Sequence, residues 1–134
     1  MKPELLQTID GLYDAMNRRD MAALRDPGRV HPDFSWESNA DELDAPGRLD
    51  GGEVLAYQKE LFQIFDELET EVLERIDLGP DQLICVVRHR VRGAASGVQV
   101  DREEVHLWTA RDGLVGSLRE YRTVEEALEA AGAS

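Results

Sequence analysis

Few residue types move protons near neutral pH, and this chain uses them sparingly: three histidines, one cysteine, and a carboxylate, Glu120, set among aliphatic residues. Glu120 lies in Leu118-Arg119-Glu120-Tyr121, beyond an Asp112-Gly113 pair flanked by two strand-like runs. A type I′ turn needs positive φ at both central positions, so this pair predicts a hairpin. Counting outward from the turn pairs Leu107 with Leu118 and Val105 with Glu120, which puts the acid on a face of aliphatic side chains. Two readings follow. In one, the apolar setting raises the carboxyl pKa toward general acid or base use. In the other, Glu120 is a rim residue paired with Arg119 or Arg122.

His89 follows the run Leu83-Ile84-Cys85-Val86-Val87, where the even positions turn to Arg88, Arg90 and Arg92 while Cys85, Val87, His89 and Val91 form the less polar set. Strand alternation sends His89 to the concave side of a sheet, beside Val87. There it either assists Glu120 in proton transfer or lines a pocket wall, hydrogen-bonded to a neighbour such as Tyr57. Cys85 reads as a small buried hydrophobe with no adjacent base. His31, before Pro32, reads as a residue that fixes the chain, and with no second ligand at metal spacing no metal or cofactor is expected. His106 pairs with Arg119 on the face opposite Glu120, together with Trp108 and Tyr121. An outer face carrying two such aromatics predicts burial in a homodimer through the sheet.

The elements that must position these residues follow from periodicity. Leu5, Ile9, Leu12 and Met16, widened by Leu6 and Tyr13, form the stripe of a first helix ending near Asn17-Arg18-Arg19. Asp20 caps a short second helix through Leu24, stopped by Asp26-Pro27-Gly28. Phe34, Trp36 and Ser38 alternate with Asp33, Ser35 and Glu37 as a first strand, and 39–52 reads as loop. A third helix from Asp50 or Gly51 carries Val54, Leu55, Tyr57, Leu61, Phe62, Ile64 and Phe65, the broadest apolar face in the chain. Strands then follow, separated by Gly79-Pro80-Asp81, by 93–97 and by Asp112-Gly113, before a last helix capped by Thr123. Val98-Val100 and Val105-Leu107 alternate out of phase. A bulge near Arg102 is therefore expected if Arg88, Arg90 and Arg92 are to meet Asp101 and Glu103.

Helices gathered before a meander of strands predict one α+β domain over 1–134, a curved antiparallel or mixed sheet wrapped into a cone around N-terminal helices. Acids outnumber Lys plus Arg by 28 to 15, a net charge of −13, which repels phosphate backbones and anionic lipid. A small neutral or cationic partner fits such a surface better. Met1-Lys2-Pro3-Glu4 leads into the first helix without an apolar signal core, and no apolar run approaches membrane length, so a cytoplasmic protein is expected.

The chain resembles the SnoaL-like, polyketide-cyclase-type domains of the nuclear transport factor 2-like superfamily. The resemblance rests on Tyr13-Asp14-Ala15-Met16-Asn17-Arg18-Arg19-Asp20, His31-Pro32-Asp33, Gly47-Arg48-Leu49-Asp50-Gly51, Trp108-Thr109-Ala110-Arg111-Asp112-Gly113 and 126–132, in that order along nearly the whole chain. It implies the cone fold, commonly paired through the sheet, and a catalytic acid on the last strand in the segment matching Leu118-Arg119-Glu120. Limonene-epoxide-hydrolase-like members also carry an acid at the position of Glu120, but an arginine and an aspartate at those of Val87 and His89, so that constellation is broken here. Steroid-isomerase-like members use a tyrosine one position from Tyr13 and an aspartate where Ser38 stands. The expected protein binds a small hydrophobic molecule in a pocket lined by Tyr13, Trp36, Tyr57, Phe62, Val87, Leu107 and Leu118. Its expected chemistry is isomerisation, cyclisation or dehydration without a cofactor, through Glu120 and His89; the alternative is a non-catalytic binding or accessory protein.

Overall fold

In the computed structural model, which describes residues 1–26, 28–39 and 47–132, ten elements follow one another. They are α1 (Pro3–Arg18), α2 (Met21–Leu24), β1 (Val30–Glu37), β2 (Arg48–Asp50), α3 (Gly52–Ile64), β3 (Phe65–Asp77), β4 (Gln82–Gly93), β5 (Gln99–Arg111), β6 (Leu114–Tyr121) and α4 (Val124–Ala130). The expected caps form: the Asp20 side chain accepts from the Ala23 N–H, and the Thr123 hydroxyl from the Glu126 N–H. The short β2 lies within the stretch read as loop. The stop expected at Pro27 and the loop positions 40–46 fall outside the described residues.

The strands make one six-stranded sheet in the order β2-β1-β6-β5-β4-β3, antiparallel except where β1 runs parallel to β6. Asp112 and Gly113 both take positive φ, 53° and 78°, so the predicted hairpin turn is present. His31 braces it, with Nε2 3.1 Å from Asp112 Oδ2 while Nδ1 accepts from the Asp33 N–H. The register differs from the count outward. Beyond Ala110↔Val115 the pairing shifts, and Thr109 meets Ser117, Trp108 meets Leu118, Leu107 meets Arg119, His106 meets Glu120 and Val105 meets Tyr121. Gly116 is the extra residue, and a Cβ there would lie 2.7 Å from Arg111 Cβ. In contrast β4 and β5 pair without interruption, so the bulge expected near Arg102 sits one strand pair away.

Two apolar layers result. On the concave face, Leu5, Ile9, Leu12 and Tyr13 of α1 pack on Leu83, Cys85, Val87, Trp108, Val115 and Leu118. On the other face α4 covers Ile84, Val105 and Leu107. Helix α3 contributes less than its composition promised: Gln58 is its one fully buried residue and Ile64 is 55% exposed, because the helix lies against β2, β3 and α2 and not across the core. Among the described residues no helix is long and apolar enough to cross a membrane.

Candidate functional site

Because the side-chain period of a strand is two, the one-residue shift at Gly116 exchanges faces along β5. Val105 and Leu107 turn outward beneath α4, whereas Glu104, His106 and Trp108 turn into the cone and meet Leu118 and Glu120 of β6. Leu107 is therefore not on the face of Glu120. His106 and Trp108, expected on an outer dimer surface, are each 2% exposed within a single chain. Of the proposed interface only Arg119 and Tyr121 remain outside, with Tyr121 packed against the α4 layer, so the aromatic pair that argued for sheet pairing does not exist.

A buried polar cluster stands where an apolar floor was expected. Unbroken β4–β5 pairing sets Cys85 opposite His106, Val87 opposite Glu104 and His89 opposite Arg102. His89 does point inward, as strand alternation required. Its Nε2 lies 2.8 Å from Glu104 Oε2, and its Nδ1 is 2.8 Å from Thr70 Oγ1 on β3. His106 Nε2 lies 3.9 Å from Glu104 Oε2 and 3.7 Å from Glu120 Oε2, and the two imidazole rings are 5.4 Å apart. Glu104 and Glu120 are 4% and 9% exposed. On the open side Arg102 NH2 reaches within 3.7 Å of Glu104 Oε2.

Tyr13 orients this cluster from the helix side. The Trp108 indole N–H donates to the Tyr13 hydroxyl at 2.8 Å, and that hydroxyl lies 2.7 Å from His106 Nδ1. An indole only donates, so the phenol hydrogen is free to go to Nδ1. From this network we assign the His106 hydrogen to Nε2, the nitrogen that faces both carboxylates. Burial pushes His106 down to about 3, so it is neutral across the physiological range. Burial would raise Glu104, but hydrogen bonding, led by His89, outweighs it and holds the carboxyl below its usual range. Burial raises the Tyr13 phenol well above its ordinary value and the Cys85 thiol to about 11, which suits Cys85 to packing and not to nucleophilic attack.

The other predicted lining residues divide. Val87, Leu118 and Tyr13 are core neighbours of the cluster, with Trp36 packed against them. Trp36 and Tyr57 touch, with ring centroids 5.0 Å apart, and Trp36 Nε1 is buried without an acceptor among the described residues. Phe62 sits aside from the core, under the Arg19 guanidinium at 5.4 Å. An open groove of about 390 Å³ is bordered by Asn17, Glu69, Thr70, Glu71, Arg88 and Arg90, and by none of the expected apolar residues. Thr70, which holds His89, is where that groove meets the cluster. Of the outer arginine row, Arg88 pairs with Glu103 at 3.7 Å and Arg90 with Asp101 at 3.5 Å, without the bulge expected to allow it, while Arg92 lies opposite Gln99.

Glu104 and His106 were missed as site residues because the turn count put them on the wrong face. The signal was Gly116, an isolated glycine inside a strand, which marks bulges.

Comparison with known proteins agrees with this architecture. The family model described as SnoaL-like domain matches residues 9–117. Similar solved structures include a nuclear transport factor 2-like protein of unknown function from Burkholderia pseudomallei, at 20% identity and TM-score 0.76, covering 96% of this chain and 97% of that one. A candidate SnoaL-like polyketide cyclase from Jannaschia sp. CCS1 aligns at 22% identity and TM-score 0.74, over 100% and 96% of the two chains. A Mycobacterium tuberculosis protein solved with estradiol-17β-hemisuccinate aligns at 14% identity and TM-score 0.77, over 92% and 97%. No curated protein matches. By its family model and its mixed-sheet cone, the chain belongs to the SnoaL-like domain family.

Proposed function

We propose that this SnoaL-like domain binds a small, largely apolar molecule in the cone and moves a proton on it, with Glu120 and His89 as the acid–base pair and Glu104 linking them. One observation carries this reading: four ionisable side chains converge in the buried interior of a small domain. Burying such groups costs several kcal/mol each unless they are paired, and apolar residues of similar size would fill the space more cheaply. Strongly perturbed groups in such a setting mark functional sites more often than chance. The buried Trp36 N–H beside Tyr57 offers a donor that a ligand carbonyl or hydroxyl would satisfy. The Mycobacterium tuberculosis relative was solved with a steroid ester, a mostly apolar small molecule of the class proposed here.

The chemistry follows from the contacts. His89 and Glu104 share a hydrogen between Nε2 and Oε2, and Glu104 is also hydrogen-bonded to Glu120, so a proton removed by Glu120 has a path through Glu104 toward His89, with His106 a non-titrating neighbour. A non-catalytic binder is the rival, favoured by the fact that both His89 ring nitrogens are already engaged, by Thr70 and Glu104. Deuterium uptake from D2O into an enolisable cyclic ketone, followed by NMR with metal-free protein, separates the two. Proton transfer predicts uptake above buffer that Glu120→Gln slows by about 10²- to 10⁴-fold. Saturable ketone binding with uptake at the buffer rate would leave binding alone.

A further inference from the structure

We propose that His89, His106 and Glu104 form a binding site for a divalent first-row transition cation such as Zn²⁺, deep in the cone. The inference uses the cluster on which the proposed function rests but not its chemistry, because the cation would take the place of the proton held between His89 and Glu104. One ligand atom from each of His89, His106 and Glu104 lies within 4.8 Å of the other two. Zinc held by imidazole and carboxylate at about 2.0–2.2 Å would set its ligand atoms roughly 3.3 Å apart in tetrahedral geometry. The observed separations, 2.8 Å for His89–Glu104 and 3.9 Å for His106–Glu104, bracket that spacing.

Three features beyond proximity point to a cation. His106 Nε2 and Glu104 Oε1 are buried with no hydrogen-bond partner among the described residues, and their side chains are 2% and 5% exposed. Each imidazole has its distal nitrogen within hydrogen-bond distance of a hydroxyl: His89 Nδ1 to Thr70 and His106 Nδ1 to Tyr13. That second layer is how proteins aim metal-binding histidines. The Tyr13 oxygen has two lone pairs, of which the Trp108 N–H takes one, so it can also accept a hydrogen from Nδ1. His106 can then carry its hydrogen on Nδ1, donating to Tyr13, and present a bare Nε2 to the cation. Two imidazoles and one carboxylate suit zinc, iron or cobalt better than calcium or magnesium. Entry is from the His89 side, where that side chain is 16% exposed and the half-exposed Arg102 stands as the competing cation.

The test is titration of EDTA-treated full-length protein with Co²⁺, read by visible absorption, alongside Zn²⁺ read by thermal melting. One equivalent of Co²⁺ is expected to give a ligand-field band, and Zn²⁺ to raise Tm. Glu104→Gln and His89→Gln should abolish the band while the far-UV circular dichroism is kept; His89 is half-buried, so its variant guards against a folding defect. Thr70→Val should weaken Co²⁺ binding by about 10- to 100-fold, and Arg102→Ala should strengthen it. Bound metal should also move the His106 hydrogen from Nε2 to Nδ1 in nitrogen-detected NMR with Zn²⁺. Absence of both band and Tm shift in the wild type overturns the proposal, as does a band that survives Glu104→Gln and His89→Gln. None of these readouts involves the small molecule, so metal binding and proton transfer fail independently.

Discussion

At the residue scale, Tyr13 joins α1 to β5 chemically as well as by packing. Its hydroxyl accepts from Trp108 and bonds His106, so Tyr13→Phe leaves a buried indole N–H and a buried ring nitrogen without their partner. Each such orphan costs about 1–3 kcal/mol, and urea unfolding should show a loss of roughly 2–4 kcal/mol; a loss below about 0.5 kcal/mol would mean that the hydroxyl is not in that network. Cys85 is the inert neighbour. With its thiol raised to about 11 by burial and no surface exposed, it should resist iodoacetamide at pH 8 in the folded protein and react once unfolded. Rapid alkylation of native protein would place it elsewhere.

At the scale of elements, the bulge at Gly116 decides which residues form the site. A Cβ at that position would meet Arg111 and the Thr109 carbonyl, so Gly116→Val should destabilise the protein by about 1–3 kcal/mol through forced backbone movement. The inward aim of Trp108 is checked by acrylamide quenching in a Trp36→Phe background, where emission should be blue-shifted and poorly quenched; full quenching would restore the outward register. Much of the fold was legible beforehand, because helix stripes, the Asp20 and Thr123 caps, the glycine-rich turns and the Asp112-Gly113 hairpin are local signals. The inward aim of His89 was legible too, from the arginines alternating with it. What failed was register. Placing the bulge near Arg102 kept Leu107 inside and put His106 and Trp108 outside, whereas an unbroken β4–β5 ladder with a bulge at Gly116 does the reverse. Period alone cannot say which strand of a hairpin carries the extra residue. The breadth of α3 misled for a related reason: apolar composition records what a helix could bury, not how much partner surface the topology brings to it.

At the scale of the whole molecule, the two apolar layers enclose groups whose ionisation is tied to folding. His106 titrates near 6.5 when unfolded and at about 3 when folded, so between these values the unfolded chain binds more protons and stability rises with pH. Glu104, held below its usual range, acts in the same direction at the acidic end. In metal-free protein, unfolding free energy should be insensitive to these groups above pH 7. It should fall by about 1.4 kcal/mol per pH unit for His106 alone as pH drops through 5, and a His106→Gln variant should flatten that dependence. Burial of this neutral histidine beside Glu104 and Glu120 is the feature on which the site depends. Nitrogen-detected NMR of the metal-free protein from pH 7.5 to pH 4.5 tests it most directly. The predicted result is a His106 ring that keeps its hydrogen on Nε2 and does not titrate over that range; an imidazolium forming near pH 6.5 would contradict the inward register and the site built on it.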